Sequence, residues 1–225
     1  MSNIVARRIE AFLEGEKLSY EAEVRSGNRQ RLWRSDFRPQ IDDIYNKLGG
    51  QLTGGITEIE VPAYPIVFEG KVIVGNDELA YNRYAAVCLR APFYSDIEGL
   101  NVEAFLRYCR QFEVGCKKVG LIAGVWSNPV SNKHFGEASD PGDFFGNGSS
   151  GWKMLAFQHL LRDMLAKLDG YEVLHFSIYD QIMSGGKLLT VGELMKSPSG
   201  EHYASFVKYL RRRLGLPAVA AEKPV

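Results

Sequence analysis

Three acidic and two basic side chains carry the most direct chemistry in this sequence. Asp77 and Glu78 stand together just past the apolar run KVIVG, and Glu60 lies near the end of an earlier alternating run, ITEIEVP. Carboxylates at strand ends, joined across a sheet, hold a hard divalent cation such as magnesium. A cation held that way turns a bound water into a nucleophile. Arg83 follows the acid pair within one short helix, and Lys153 opens a later one; each would neutralise phosphate charge. Plainer roles stand beside these. Asp77 is placed to cap a helix beginning near Glu78, and Arg83 to form a structural ion pair.

A second source of chemistry is the stretch SNPVSNKHFGEASDPGDFFGNGSSG (127–151), rich in Gly, Ser, Asn, Asp and Pro. Loops of this length are functional or mobile. Its glycines allow close backbone approach, and amides at a helix start favour anions, with Lys153 adding a charge. GNGSSGWK is not a P-loop, because Met154 follows the lysine. A surface loop with glycine turns is the plainer alternative. His134, His159, His175 and His202 fall into no ligand or triad spacing. No G-x-S-x-G occurs, nor any G-x-G-x-x-G after a strand, which argues against α/β-hydrolases and dinucleotide enzymes. Cys88, Cys109 and Cys116 lack a CxxC pattern and read as reduced, buried thiols.

The elements that must position these residues follow from periodicity. Helices are expected over 3–14, over Ile41 to Leu48, and over 78–90, 101–113, 152–169 and 201–214. Asn101 caps the fourth of these, while Gly15, Gly49-Gly50 and Gly170 end others. Strands are expected over 56–62, 118–126 and 171–180. PIVF and KVIV form a hairpin about Glu69-Gly70, with KVIV central in the sheet. Trp33 and Phe37 are core anchors. Arg211 to Arg213 form a solvated helix face or touch a phosphate backbone. The alternation after residue 56 predicts a mixed α/β sheet flanked by helices, one domain over 1–225, with 216–225 a frayed tail.

Charge narrows the partners. The 27 basic and 27 acidic residues cancel, and 45% of residues are hydrophobic. That balance excludes a protein whose main task is coating DNA or an anionic membrane, while leaving room for a local basic groove. MSNIVARRIEAFLEGE has no apolar core of signal-peptide length, and no run approaches the roughly 18 apolar residues of a membrane span. A cytoplasmic protein without a membrane partner is expected.

Three blocks resemble a family of uncharacterised bacterial proteins without an assigned activity. They are RLWRSDF, IVGNDELAYNRYAAVCLRAPFY and WSNPVSNKHFGEASDPGDFFGNGSSGWKMLAFQHLLRD, and they cover most of residues 31–180. Trp126, Pro129, Phe135-Gly136, Gly142 and Trp152-Lys153 form the skeleton of the last. The strand–acid–helix block is similar to the core of short restriction-endonuclease-like nucleases, including the very-short-patch repair type. That likeness implies a restriction-endonuclease-like fold and magnesium-dependent cleavage of nucleic acid, in phage defence or DNA repair. Glu60, Asp77 and Glu78 would hold the metal, and Lys153 and Arg83 the phosphate.

The superfamily's pattern of an acid followed by E-x-K is met by Glu60 and Glu69-Gly70-Lys71, yet a turn at Gly70 would put that lysine on a loop tip. Gly75 stands where such blocks carry a carboxylate, and Ala80 near where a histidine falls. Both departures point to a weakened nuclease that binds nucleic acid. The alternative is a non-enzymatic interaction or regulatory module, with no metal affinity and an exposed apolar patch.

Overall fold

A computed structural model describes residues 3–51, 55–196 and 200–218. Helix α1 (Ile4–Gly15) starts at Asn3, whose side chain accepts from the Val5 and Ala6 amides, and it buries Val5, Ile9, Phe12 and Leu13. Strand β1 (Glu21–Val24) follows, then α2 (Gln30–Trp33) and α3 (Arg38–Lys47). Strands β2 (Tyr64–Phe68) and β3 (Lys71–Asn76) pair antiparallel, with Ile66 opposite Ile73. Their turn takes φ of 46° at Glu69 and 74° at Gly70, the two-residue geometry that matches strand twist.

Past β3 come α4 (Arg83–Cys88), α5 (Val102–Ile122), α6 (Pro129–Phe135) and α7 (Ser150–Leu168). Strand β4 (Glu172–Ser177) then returns parallel to β3, in register from Lys71 opposite Glu172 to Asn76 opposite Ser177. The sheet is mixed, in the order β1-β2-β3-β4. Val72, Ile73 and Val74 on β3 are buried, as a central strand requires. A separate hairpin, β5 (Gln181–Ser184) and β6 (Lys187–Thr190), leads into α8 (Val191–Lys196) and α9 (Gly200–Leu214).

Helices flank the sheet. α1 crosses β3 at Gly75, where an added Cβ would come within 2.7 Å of the Ala6 amide nitrogen. Asn3 also donates to the Gly75 carbonyl at 2.6 Å. No side chain fits at this point of the strand, so a carboxylate there is ruled out by packing. α7 packs on β4 and against α2, α4 and α6, and buries most of its length. Among the described residues no helix is long and apolar enough to cross a membrane.

Several expected elements are corrected. Residues 56–62 form no strand: a single 3-10 turn spans Gly55–Glu58 and brings Ile56 and Ile59, three apart, into the core. The expected helix over 78–90 is two pieces, because two caps interrupt it. Asp77 accepts from the Leu79 amide over the 3-10 turn Glu78–Ala80, and Asn82 accepts from Tyr84 and Ala85 at the start of α4. Of the expected strand over 118–126, residues 118–122 are the last turn of α5 and 123–126 are a turn leaving it. Cys116 and Gly120, four apart, face inward, while Ile122 is 80% exposed, a helical pattern. Gly120 is needed because the Trp152 ring lies against it. The long loop begins later than expected, since Pro129–Phe135 is helical, with Asn128 and Ser131 forming a capping box. The tail is tied at its start, with the Leu216 amide bonded to the Arg211 carbonyl; residues 219–225 lie outside the described residues. All three cysteines are free and buried.

Candidate anion site at the start of helix α7

The loop after α6 folds back on itself. Gly136, Gly142, Gly146 and Gly148 all take positive φ. The Asn147 amide donates to the Phe135 and Glu137 carbonyls at 2.8 and 2.7 Å. The Trp126 indole donates to the Ser139 carbonyl at 2.8 Å. These bonds fix the Asn147 side-chain oxygen in space. At the helix start the Ser149 hydroxyl accepts from the Trp152 amide, the Tyr84 hydroxyl from the Ser149 amide, and the Trp126 carbonyl from the Gly151 amide. The amides expected to receive an anion are thus largely occupied within the fold.

The unoccupied charge is the lysine. Lys153 is 6% exposed. Its ammonium donates to the Asn147 oxygen at 2.5 Å and stands 5.7 Å from the centre of the Tyr84 ring. The turn through Gly49, with φ of 81°, passes over it: a Cβ on Gly49 would lie 3.4 Å from Nζ. Gln51, on the same turn, packs against Gly136. Among the described residues no carboxylate pairs with this lysine. Burial alone lowers its pKa. An ammonium taken out of water and given only neutral partners is costly to keep charged, and an incoming anion would supply the missing counter-charge.

The acidic residues are arranged differently. Asp77 and Glu78 stand at the carboxyl end of β3, beside its parallel partner β4. Burial raises the Asp77 pKa, and the neighbouring Glu78 charge adds to the rise. The half-buried Tyr179 phenol is pushed up to about 12 by burial, with Glu78, Cys116 and Asp77 contributing. Glu60 is elsewhere: it is exposed, and its carbonyl accepts from Gln158 of α7. Among the described residues no three His, Cys, Asp or Glu side chains converge as a metal set would. The structure therefore joins Asp77 to Glu78 but not to Glu60. Glu69 lies in the hairpin turn and Lys71 opens β3 just after it. Arg83 pairs with Glu113 at 2.8 Å and lies 3.8 Å over the Phe144 ring, so its guanidinium is committed to packing α4 on α5 and the loop.

A further set of titratable groups escaped the spacing rules. Asp163 of α7 is fully buried and accepts from Arg162 at 2.9 and 3.1 Å and from the Tyr94 hydroxyl at 2.8 Å. His175 Nε2 stands 3.1 Å from the other side of the same carboxylate, and its Nδ1 lies 3.2 Å from the Asn76 amide. Burial pushes the Asp163 carboxyl up, but Arg162, His175 and Tyr94 outweigh it and hold it well below the usual carboxylate range. Asp163 is at 0% exposure with a guanidinium, an imidazole and a phenol already around its carboxylate, and the group ties α7 to β3 and β4.

Fold and site together define a mixed α/β protein with a buried, acid-free lysine where a glycine-rich loop meets a long helix. The chain belongs to the Family of unknown function (DUF7255), whose profile matches residues 43–197 and so includes Lys153, Asp77, Glu78, Glu60 and Arg83. Comparison with curated proteins finds no match, and neither does comparison with solved structures.

Proposed function

We propose that the chain binds a phosphate-bearing ligand through Lys153, and that it is a phosphate-handling protein of restriction-endonuclease-like type. The observation that carries the reading is the buried ammonium with, among the described residues, a neutral amide as its one hydrogen-bond partner. Ions buried for structural reasons are paired, so an unpaired one marks a place for a ligand's charge. Inorganic phosphate and pyrophosphate are the probes. Wild type should gain thermal stability with rising phosphate, by about 2.7 kcal/mol at 100 times Kd. Lys153→Met should lose that response. It should also be about 1 kcal/mol more stable without phosphate, because an apolar chain of similar length replaces an uncompensated charge. An equal phosphate response in both proteins would end the proposal.

A second reading, a magnesium-dependent nuclease, draws support from Asp77 and Glu78. Two carboxylates, one with a raised pKa, stand at the carboxyl end of a parallel strand pair, where a divalent cation would relieve their mutual repulsion. Water on that cation would attack a phosphodiester, with Lys153 stabilising the phosphate charge. The test is cleavage of mixed DNA and RNA substrates with magnesium or manganese. Asp77→Asn/Glu78→Gln should remove activity while preserving the cap, since asparagine caps as well as aspartate. Undiminished cleavage by the double variant, or none by wild type together with no metal-induced thermal shift, would eliminate this reading.

A further inference from the structure

Residues 25–38 read RSGNRQRLWRSDFR, with five arginines and one acid in a chain of zero formal charge. Leu32 and Trp33 turn inward, leaving Arg25, Arg29 and Arg34 exposed. Two of the five are committed. Arg31 donates to Asp169 at 2.8 Å and to the Leu168 carbonyl at 2.5 Å, and Arg38 pairs with Asp42. Among the described residues no ion pair engages Arg25, Arg29 or Arg34.

This segment borders a cleft of about 410 Å³, with Arg25, Asn28 and Arg31 on one side and Tyr64, Asp169 and Tyr171 on the other. Both oxygens of the acid in the cleft have partners: the Arg31 guanidinium on one, which supplies the counter-charge, and the Tyr64 hydroxyl on the other, each at 2.8 Å. The half-buried Tyr171 ring meets Tyr64 edge-on, with centres 5.6 Å apart. The cleft thus joins one unpaired guanidinium, that of Arg25, to an aromatic ring, and its one carboxylate already has partners; Arg29 and Arg34 stand on the same exposed segment outside the lining.

We propose that this cleft and the arginine segment beside it bind single-stranded nucleic acid, with phosphates on Arg25 in the cleft and on Arg29 and Arg34 along the segment, and a base against Tyr171. Guanidinium forks match phosphate geometry, and aromatic rings take a base of any sequence. A flat anionic bilayer fits less well. It would meet every charge within a Debye length, including Glu21 and Glu23 on the adjoining strand, whereas a flexible strand contacts the arginines alone. The site shares no residue with the Lys153 site and does not rest on that reading.

The test is anisotropy of a labelled oligothymidine and its uridine counterpart, longer than one domain's footprint of about 4–16 nucleotides. Arg25→Glu/Arg29→Glu/Arg34→Glu should weaken binding at least about tenfold and flatten the log–log salt slope by about 2, for three phosphates at roughly 0.7 each. Tyr171→Leu should weaken it roughly tenfold. The same charge reversal at exposed Lys118, Lys187 and Lys196 should change binding less than about twofold, if the effect is local and not one of net charge. Circular dichroism checks folding, and Arg→Gln at the three positions repeats the test with a milder change. Tight binding by both triple variants overturns the proposal. So does an equal loss from the lysine control, no binding by wild type at about 50 mM salt, or tighter binding to phosphatidylserine vesicles than to the oligonucleotides.

Discussion

Asp163→Ala should lower the stability of this protein by about 3–5 kcal/mol in urea unfolding, the cost of breaking a buried ion pair by removing one partner. The carboxylate is fully buried and takes two bonds from Arg162 and one from Tyr94. Without it the Arg162 side chain, 5% exposed, is left charged in a dry interior, and the Tyr94 hydroxyl loses its acceptor. Asp163→Asn should recover little, since an amide supplies an acceptor but no counter-charge. Arg162→Met/Asp163→Leu should be less damaging than Asp163→Ala alone, because it removes both charges and keeps volume. A loss under about 1 kcal/mol in Asp163→Ala would show that the network is solvated, and would sink this account.

The same helix carries the contrast that gives Lys153 its meaning. Ten residues separate Lys153 from Asp163, both buried on α7. Where the fold uses a buried charge for structure, it supplies a counter-charge and further polar partners: a guanidinium, an imidazole and a phenol around one carboxylate. At Lys153, among the described residues, it supplies one side-chain amide. Both sites cost desolvation, but the second offsets little of it within the fold. That asymmetry is hard to explain by stability, and it is the reason a ligand's negative charge is assigned there.

What the sequence made legible was set by range. The Glu69-Gly70 hairpin was readable because turn chemistry and apolar runs are local, and α7 because its apolar pattern spans five turns. KVGLIAGVW misled for a physical reason. A nearly continuous apolar run has no period to separate strand from helix, and the deciding contact, Gly120 under Trp152, lies 32 residues away. The β5–β6 hairpin was missed although Gly185-Gly186, at φ of 58° and 73°, was its signal; exposed Met183 and Leu188 gave no clean alternation around it. For the sites, Lys153 at a helix start was visible, but its burial depends on a glycine turn about a hundred residues earlier. The Asp163–His175 contact was invisible, since strand register and helix docking, not spacing, bring the two together. Asp77 shows the reverse case: its local role as a cap was readable, and that is the bond it makes.

Acid should weaken the fold well before the carboxylates titrate, and His159 of α7 is the main reason. Its pKa is pushed down to about 3 by burial first, and by the Arg162 charge next. An unfolded-chain histidine titrates near 6.5, so below that pH the unfolded state takes up a proton that the folded state refuses. Stability then falls as pH drops from about 6.5 toward 3, by at most about 1.4 kcal/mol per unit for one such group. His134, whose pKa burial also lowers, acts in the same direction. Asp77, with a raised pKa, opposes the trend near pH 4, while Asp163 reinforces it there, because its stabilisation is lost as pH falls through its depressed value. The window from pH 7.5 to 5 therefore isolates the histidines. Wild type should lose about 1–2 kcal/mol across it, the lower figure allowing for the ring's partial exposure. His159→Gln should lose less than half as much, and His134→Gln nearly as much as wild type. If His159→Gln kept the full slope, the acid sensitivity would belong to another group, and the neutral, desolvated imidazole beside Arg162 would have to be abandoned.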